Sequence, residues 1–176
     1  MVFLTFLALA FLGTAQQSPV AETATSHNFV ETAPTAKIPP PHAPISAEMR
    51  GDIFMARKMY REAIDAYQQG GGSAVLVNKI GIAYHQLLEF KTAKKYYERA
   101  IRIDPKYSEA VNNLGTIYYA TKSYRRAIKQ YKKALRLNPN SASIYSNLGT
   151  GYFARRKYKR AAEAYQQALA LDPNVF

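Results

Sequence analysis

Side chains able to do acid–base, metal or nucleophilic chemistry are few in this chain of 176 residues. It has no cysteine and three histidines, of which His27 and His42 stand near the start and His85 stands alone. No His-Glu-x-x-His pair could hold a zinc ion, and no serine sits in a Gly-x-Ser-x-Gly elbow. Gly70-Gly71-Gly72 could suggest a phosphate cradle, but the Lys-Ser/Thr that completes such a loop does not follow, so the cluster reads as a helix stop. Neither an enzyme nor a cofactor or metal site is expected.

What remains to act on a partner is charge. The chain carries 24 Lys and Arg against 12 Asp and Glu, a net +12, and residues 79 to 160 hold 19 of those cations with only Glu89, Glu98, Asp104 and Glu109 as acids. The densest run is Lys122, Arg125, Arg126, Lys129, Lys132, Lys133 and Arg136, continued by Arg155, Arg156, Lys157, Lys159 and Arg160. Such a ridge attracts anionic lipid headgroups, envelope polymers or acidic proteins, or it is simply a solvated helix face.

The elements that would carry these residues are written as a period. Gly81, Gly115 and Gly149 are 34 residues apart, and Tyr84, Tyr118 and Tyr152 keep step with them. So do Ala93, Ala127 and Ala161, then Tyr97, Tyr131 and Tyr165, then Ala100, Ala134 and Ala168, and last Pro105, Pro139 and Pro173. Residues 77, 80, 81 and 84 fall on one face of a helix, as do 93, 97 and 100, so each window is two helices. The residue before each proline is driven out of helical geometry and ends the second helix. Gly51, Phe54, Ala63 and Tyr67 repeat the internal spacing once more, but Gly51 to Gly81 is only 30 residues, with the deficit at Gly70-Gly71-Gly72-Ser73. The charged ridge then lies on the outer face of the second helices. The interleaved tyrosines occupy buried positions, which makes them poor stacking platforms for bases, and nucleic acid is not an expected partner.

A 34-residue period with Leu-Gly-x2-Tyr, Ala-x3-Tyr and a terminal Pro resembles the tetratricopeptide repeat, with valine or tyrosine in place of its tryptophan. The resemblance implies an all-α right-handed superhelix over residues 45–173, divided into a degenerate repeat at 45–73 and repeats at 74–107, 108–141 and 142–175. It implies a non-catalytic scaffold that holds a partner peptide or helix against the first helices. The groove positions it marks are Asn78, Ile82, His85 and Gln86, then Asn112, Thr116 and Tyr119, then Ser146, Thr150 and Phe153. The carboxylate clamp of one subclass is absent: Asn113 fits, but Asn78, Ile82, Ser143 and Asn147 stand where Lys, Asn, Lys and Arg belong. Docking of an anionic surface on the basic ridge is the alternative. On the last second helix, Tyr158, Ala162, Tyr165 and Leu169 are expected to be partly uncovered and open to self-association.

Ahead of the array, Val2 to Leu12 is apolar or small and Gly13-Thr14-Ala15 follows, so residues 1–15 read as a signal peptide despite having no Lys or Arg before the apolar core. Residues 16–44, rich in Ala, Thr, Ser and Pro, read as a disordered tether. An exported protein is expected, with an uncleaved anchor as the alternative.

Overall fold

The computed structural model describes residues 45–176; the expected signal peptide and tether, with His27 and His42, lie outside them. The described residues form four pairs of antiparallel helices: α1 (Ala47–Ala56) with α2 (Tyr60–Gln69), α3 (Ala74–Gln86) with α4 (Phe90–Ile103), α5 (Ser108–Ala120) with α6 (Tyr124–Leu137), and α7 (Ala142–Ala154) with α8 (Tyr158–Leu171). None of them is long and apolar enough to cross a membrane.

Serine starts three of the four first helices. Ser46, Ser73 and Ser141 each accept a hydrogen bond from the backbone N–H three residues on, at 3.1, 3.2 and 3.4 Å. The second helices stop where expected: Asp104, Asn138 and Asp172 all have extended backbone, and a proline follows each. The turn inside each pair was not legible beforehand. Lys58, Leu88, Lys122 and Arg156 all adopt left-handed backbone, with φ of 59°, 61°, 58° and 56°. The residue after each returns its N–H to the carbonyl five positions back, as Ser123 does to Tyr118 at 2.7 Å, so the helix end is closed without a glycine.

The two helices of a pair meet at a glycine. A Cβ on Gly81 would lie 2.7 Å from Tyr97 Cε1, on Gly115 2.5 Å from Tyr131 Cε1, and on Gly149 2.6 Å from Tyr165 Cδ1. Gly51 receives Tyr67 in the same way, so the degenerate repeat keeps the joint. Around each joint the alanines are sealed, with Ala93, Ala100, Ala127 and Ala134 all at 0% exposure. Tyr67, Tyr97 and Tyr131 are among the largest fully buried side chains. The irregular repeat owes its shortness to α2, which has 10 residues where α4, α6 and α8 have 14. Gly70 and Gly71 end it, the latter at φ +99°, and Ser73 starts α3 at once.

Each pair then packs on the next through a second helix meeting the following first helix. The first helices of successive regular repeats also touch directly, α3 with α5 and α5 with α7. The stack therefore closes toward the first helices and opens toward the second ones. Gly115→Ala should lower stability by about 1–2 kcal/mol in urea unfolding, overpacking against Tyr131 outweighing the gain in helix propensity. Gly72→Ala, where an added Cβ finds only Arg99 at 3.8 Å, should stay within about 0.5 kcal/mol of the parent.

Candidate functional site

The expected groove residues form three columns along α3, α5 and α7, and the columns have different fates. The first is Asn78, Asn112 and Ser146. Asn78 is 0% exposed, and both ends of its amide are used: Oδ1 accepts from Asn113 Nδ2 at 3.1 Å, while Nδ2 donates to Glu109 Oε1 at 3.0 Å and to the Tyr107 hydroxyl at 3.3 Å. Its expected place among the groove residues is corrected, because the next repeat has taken both ends of its amide. Burial, with the neighbouring Glu109 charge, pushes the Tyr107 hydroxyl up to about 12, so it stays a donor to Glu109 Oε2 at 3.0 Å. Asn112 is also buried, and its Oδ1 accepts from Asn147 Nδ2 at 3.0 Å. Ser146 is half-buried.

These bonds are rungs of one ladder. In each, a residue of one first helix meets the residue one place further along in the next. Asn113 and Asn147 are its donors, not remnants of a clamp. At the first joint the rung is ionic: Lys79 sits where Asn113 and Asn147 do, and it pairs with Glu48 at 2.8 Å and with Asp52 at 2.8 Å. Burial works to raise the Asp52 pKa, but hydrogen bonds from Lys79 and from the Tyr67 hydroxyl at 2.7 Å outweigh it and hold the carboxyl below its usual range.

The second column is Ile82, Thr116 and Thr150. Ile82 packs against the buried cluster of Ala93, Tyr97, Leu114 and Ile117. Thr116 donates to the carbonyl of Asn113 at 2.7 Å and Thr150 to that of Ser146 at 3.0 Å, and the Thr150 hydroxyl also meets the Tyr165 hydroxyl at 3.1 Å, so both are engaged within their own repeat. Gln86, one turn further along α3, is exposed.

The third column is aromatic. His85, Tyr119 and Phe153 each meet a ring five residues later, across the turn: Phe90 at 5.5 Å, Tyr124 at 5.4 Å and Tyr158 at 5.6 Å between centroids. Sequence reasoning placed the first member of each pair in the groove and gave the second no place there, naming only Tyr158 and that for the uncovered face of the last helix, although Phe90, Tyr124 and Tyr158 also recur at 34. The first two ring pairs are half-buried, whereas Phe153 and Tyr158 are 59% and 58% exposed. Burial lowers the His85 pKa, so at pH 7 this position presents a neutral ring, not a group about to change charge.

The basic ridge is also mixed. Arg126 stands over the Tyr118 ring at 5.9 Å with Lys94 at 5.6 Å, and Lys132 stands over Tyr152 at 5.9 Å with Arg160 at 6.0 Å. Tyrosines of first helices are thus flanked by cations from two successive second helices, which ties part of the ridge to packing. Arg125, Lys129 and Arg136 are exposed and Lys133 is half-buried. Among the described residues no ridge cation joins a salt bridge. Lys122, Arg125, Arg126 and Arg155 with Ser123 and Tyr124 line an open recess of about 450 Å³ beside the α5–α6 turn. On the outer face of α8, Tyr158 and Leu169 are exposed at 58% and 43%, Ala162 is exposed, and Tyr165 is half-buried with Phe176 against its ring at 5.5 Å.

Removing a rung should show at once in stability. Asn113→Ala leaves the Asn78 carbonyl oxygen buried and unpaired, and should cost about 1–3 kcal/mol in urea unfolding. An unchanged midpoint would mean the rung carries no net energy.

The tetratricopeptide-repeat pattern matches residues 76–107 and 142–175, a second pattern of the same description matches 96–129, and a TPR-repeat pattern matches 115–154. They run without a break from 76 to 175. A crystal structure of MamA superposes with a TM-score of 0.64 at 23% identity, over 74% of this chain and 80% of that one. A second MamA crystal structure gives 0.63 at 22%, over 72% of each chain. The crystal structure of YrrB, described as a TPR protein with an unusual peptide-binding site, gives 0.62 at 22%, over 73% of this chain and 68% of that one. At these identities the likeness is one of fold, and no curated protein matches the sequence. Four helix pairs locked at Gly51, Gly81, Gly115 and Gly149, with three of them under matching repeat patterns, place the chain in the tetratricopeptide-repeat family.

Proposed function

We propose that this protein is a scaffold which holds a segment of a partner protein along its first helices. The observation that carries the reading is the aromatic column of His85, Tyr119 and Phe153, which ends in exposed rings on the side toward which the stack closes. Rings there supply apolar contact area with little side-chain entropy to lose, while Gln86 and Ser146 add polar contacts. Asn78 is left out of the binding set because its amide is consumed. Tyr119→Ala with Phe153→Ala should abolish partner capture by the mature chain while leaving the circular-dichroism spectrum unchanged.

A second reading has its own observation, the recess lined by four cations that have no acidic partner among the described residues. Docking of an acidic partner or anionic envelope surface there would weaken steeply with salt, whereas groove capture would not. Lys122, Arg125 and Arg155 changed together to Glu separates the two without touching the cations that pack on tyrosine. If this reversal eliminates capture and the aromatic double variant binds normally, the basic face is the binding surface and the groove reading is lost.

Export and self-association belong to the same proposal. The apolar run from Val2 to Leu12 supports export to the periplasm or beyond. The exposed apolar side chains of α8 support contact with a second copy. Sedimentation over a concentration series should show an association that Leu169→Glu removes, and a monomer at every concentration would end that part of the proposal.

A further inference from the structure

Two recesses lie at the same place in different repeats. One, of about 320 Å³, has Leu148, Tyr152, Arg160, Glu163, Ala164 and Gln167 of the last repeat in its walls. The other, of about 280 Å³, is lined by Arg50, Phe54, Glu62, Asp65, Ala66 and Gln69, each of them 98 positions before its counterpart. In the last repeat the preceding second helix closes over the recess. Lys132 of α6 lines it and stands over the Tyr152 ring at 5.9 Å, and that ring is buried. Tyr118, at the same position one repeat earlier, is met in the same way by Lys94 of α4 at 5.6 Å. No described helix precedes α1 to supply such a cation, and Phe54 is only half-buried.

The charge of the first repeat differs as well. Arg126 and Arg160 bring a second cation to Tyr118 and Tyr152 from within their own repeats, and Glu62 holds their position in the first. With Asp65 it puts two exposed carboxylates on the recess, neither of which joins a salt bridge among the described residues. The one cation of the lining, Arg50, is held by Gln69 Oε1 at 2.8 Å.

We propose that this recess receives a lysine side chain from a basic helical segment of a partner protein, at a site separate from both the groove and the basic face. The stem of the lysine lies on Phe54 and Ala66, as Lys132 lies toward Tyr152, and its ammonium stays at the rim with Glu62 and Asp65. A carboxylate ligand meets two like charges there, and a neutral side chain leaves both carboxylates without a counterion. Arg50 stands where Leu148 gives apolar contact between repeats, so the face is too polar to accept a whole further repeat. The contact is therefore reversible and weakens with salt.

The helix that fills the equivalent place in this chain supplies the probe: acetyl-YRRAIKQYKKALRL-amide, the sequence of α6. Titrated into the 15N-labelled chain, it should shift the backbone amides of residues 62–69 saturably. Lys132→Gln in the peptide should weaken binding at least about fivefold, whereas Lys129→Gln, an equal loss of charge, should change it less than about twofold. In the chain, Glu62→Gln with Asp65→Asn should weaken it at least about tenfold, and Phe54→Leu, which keeps an apolar floor but removes the ring, by about threefold. The carboxylate variants change exposed positions, and an unaltered circular-dichroism spectrum confirms that they fold. No saturable shift at 62–69 overturns the proposal. Equal weakening by the two peptide changes reduces it to general attraction of a basic peptide and overturns it too, as does unchanged affinity in the carboxylate variant. Shifts of the same amides with protein concentration alone make the occupant a second copy and overturn the partner assignment. Shifts confined to Tyr119 and Phe153 place the peptide in the groove, which sinks this inference and leaves the groove reading intact.

Discussion

Everything else in the array depends on a tyrosine ring lying against a glycine. Tyr67, Tyr97, Tyr131 and Tyr165 reach across from the second helix to Gly51, Gly81, Gly115 and Gly149, where a single added carbon would collide with the ring. The contact sets the distance between the two helices of a pair, since the backbone itself is the receiving surface. With that distance fixed, the alanines on either side close without a gap, and the outer face of each pair becomes a standard surface on which the next pair can stack. The first repeat shows how much the joint tolerates. Its second helix is shorter and its connection is remade with glycines, yet the ring still finds its glycine.

Stacking of pairs is specified by different chemistry. Apolar contact between repeats has no direction, but the amide rungs Asn78–Asn113 and Asn112–Asn147 bind one residue of a first helix to one residue of the next. Because a buried amide must be paired, a slip of register between repeats would leave both partners unsatisfied. The same demand decides which polar groups remain for a ligand. Where Tyr107 and Glu109 reach back, the first helix is closed; where Ser141 and Ser143 stand in their place, they pair with each other and the Asn112 amide nitrogen stays open to solvent.

Most of the fold was legible as period and residue size. The 34-residue recurrence of Gly, Tyr, Ala and Pro gave the helix pairs, their contact face and their ends, and the glycine cluster before Ser73 marked the short repeat. The site was less so, because its polarity is decided between repeats. Asn78 reads as an exposed polar residue until Glu109 and Tyr107, about thirty positions on, are seen to close over it. Arg126 and Lys132 read as members of a solvated ridge until their tyrosine faces are found. The left-handed turn residues Lys58, Leu88, Lys122 and Arg156 gave no signal at all, since nothing in a lysine, leucine or arginine announces positive φ.

The ladder's first rung differs in kind from the others, and the difference has a mechanical sense. Lys79 with Glu48 and Asp52 is an ionic joint reached by solvent, so dissolved ions compete with it, whereas the two amide joints are shielded by the repeats themselves. Apolar packing of Ala63, Ile64 and Tyr67 on Leu76 and Ile80 holds this joint as it holds the others, so only the polar part of its registration answers to the ionic strength of the surroundings.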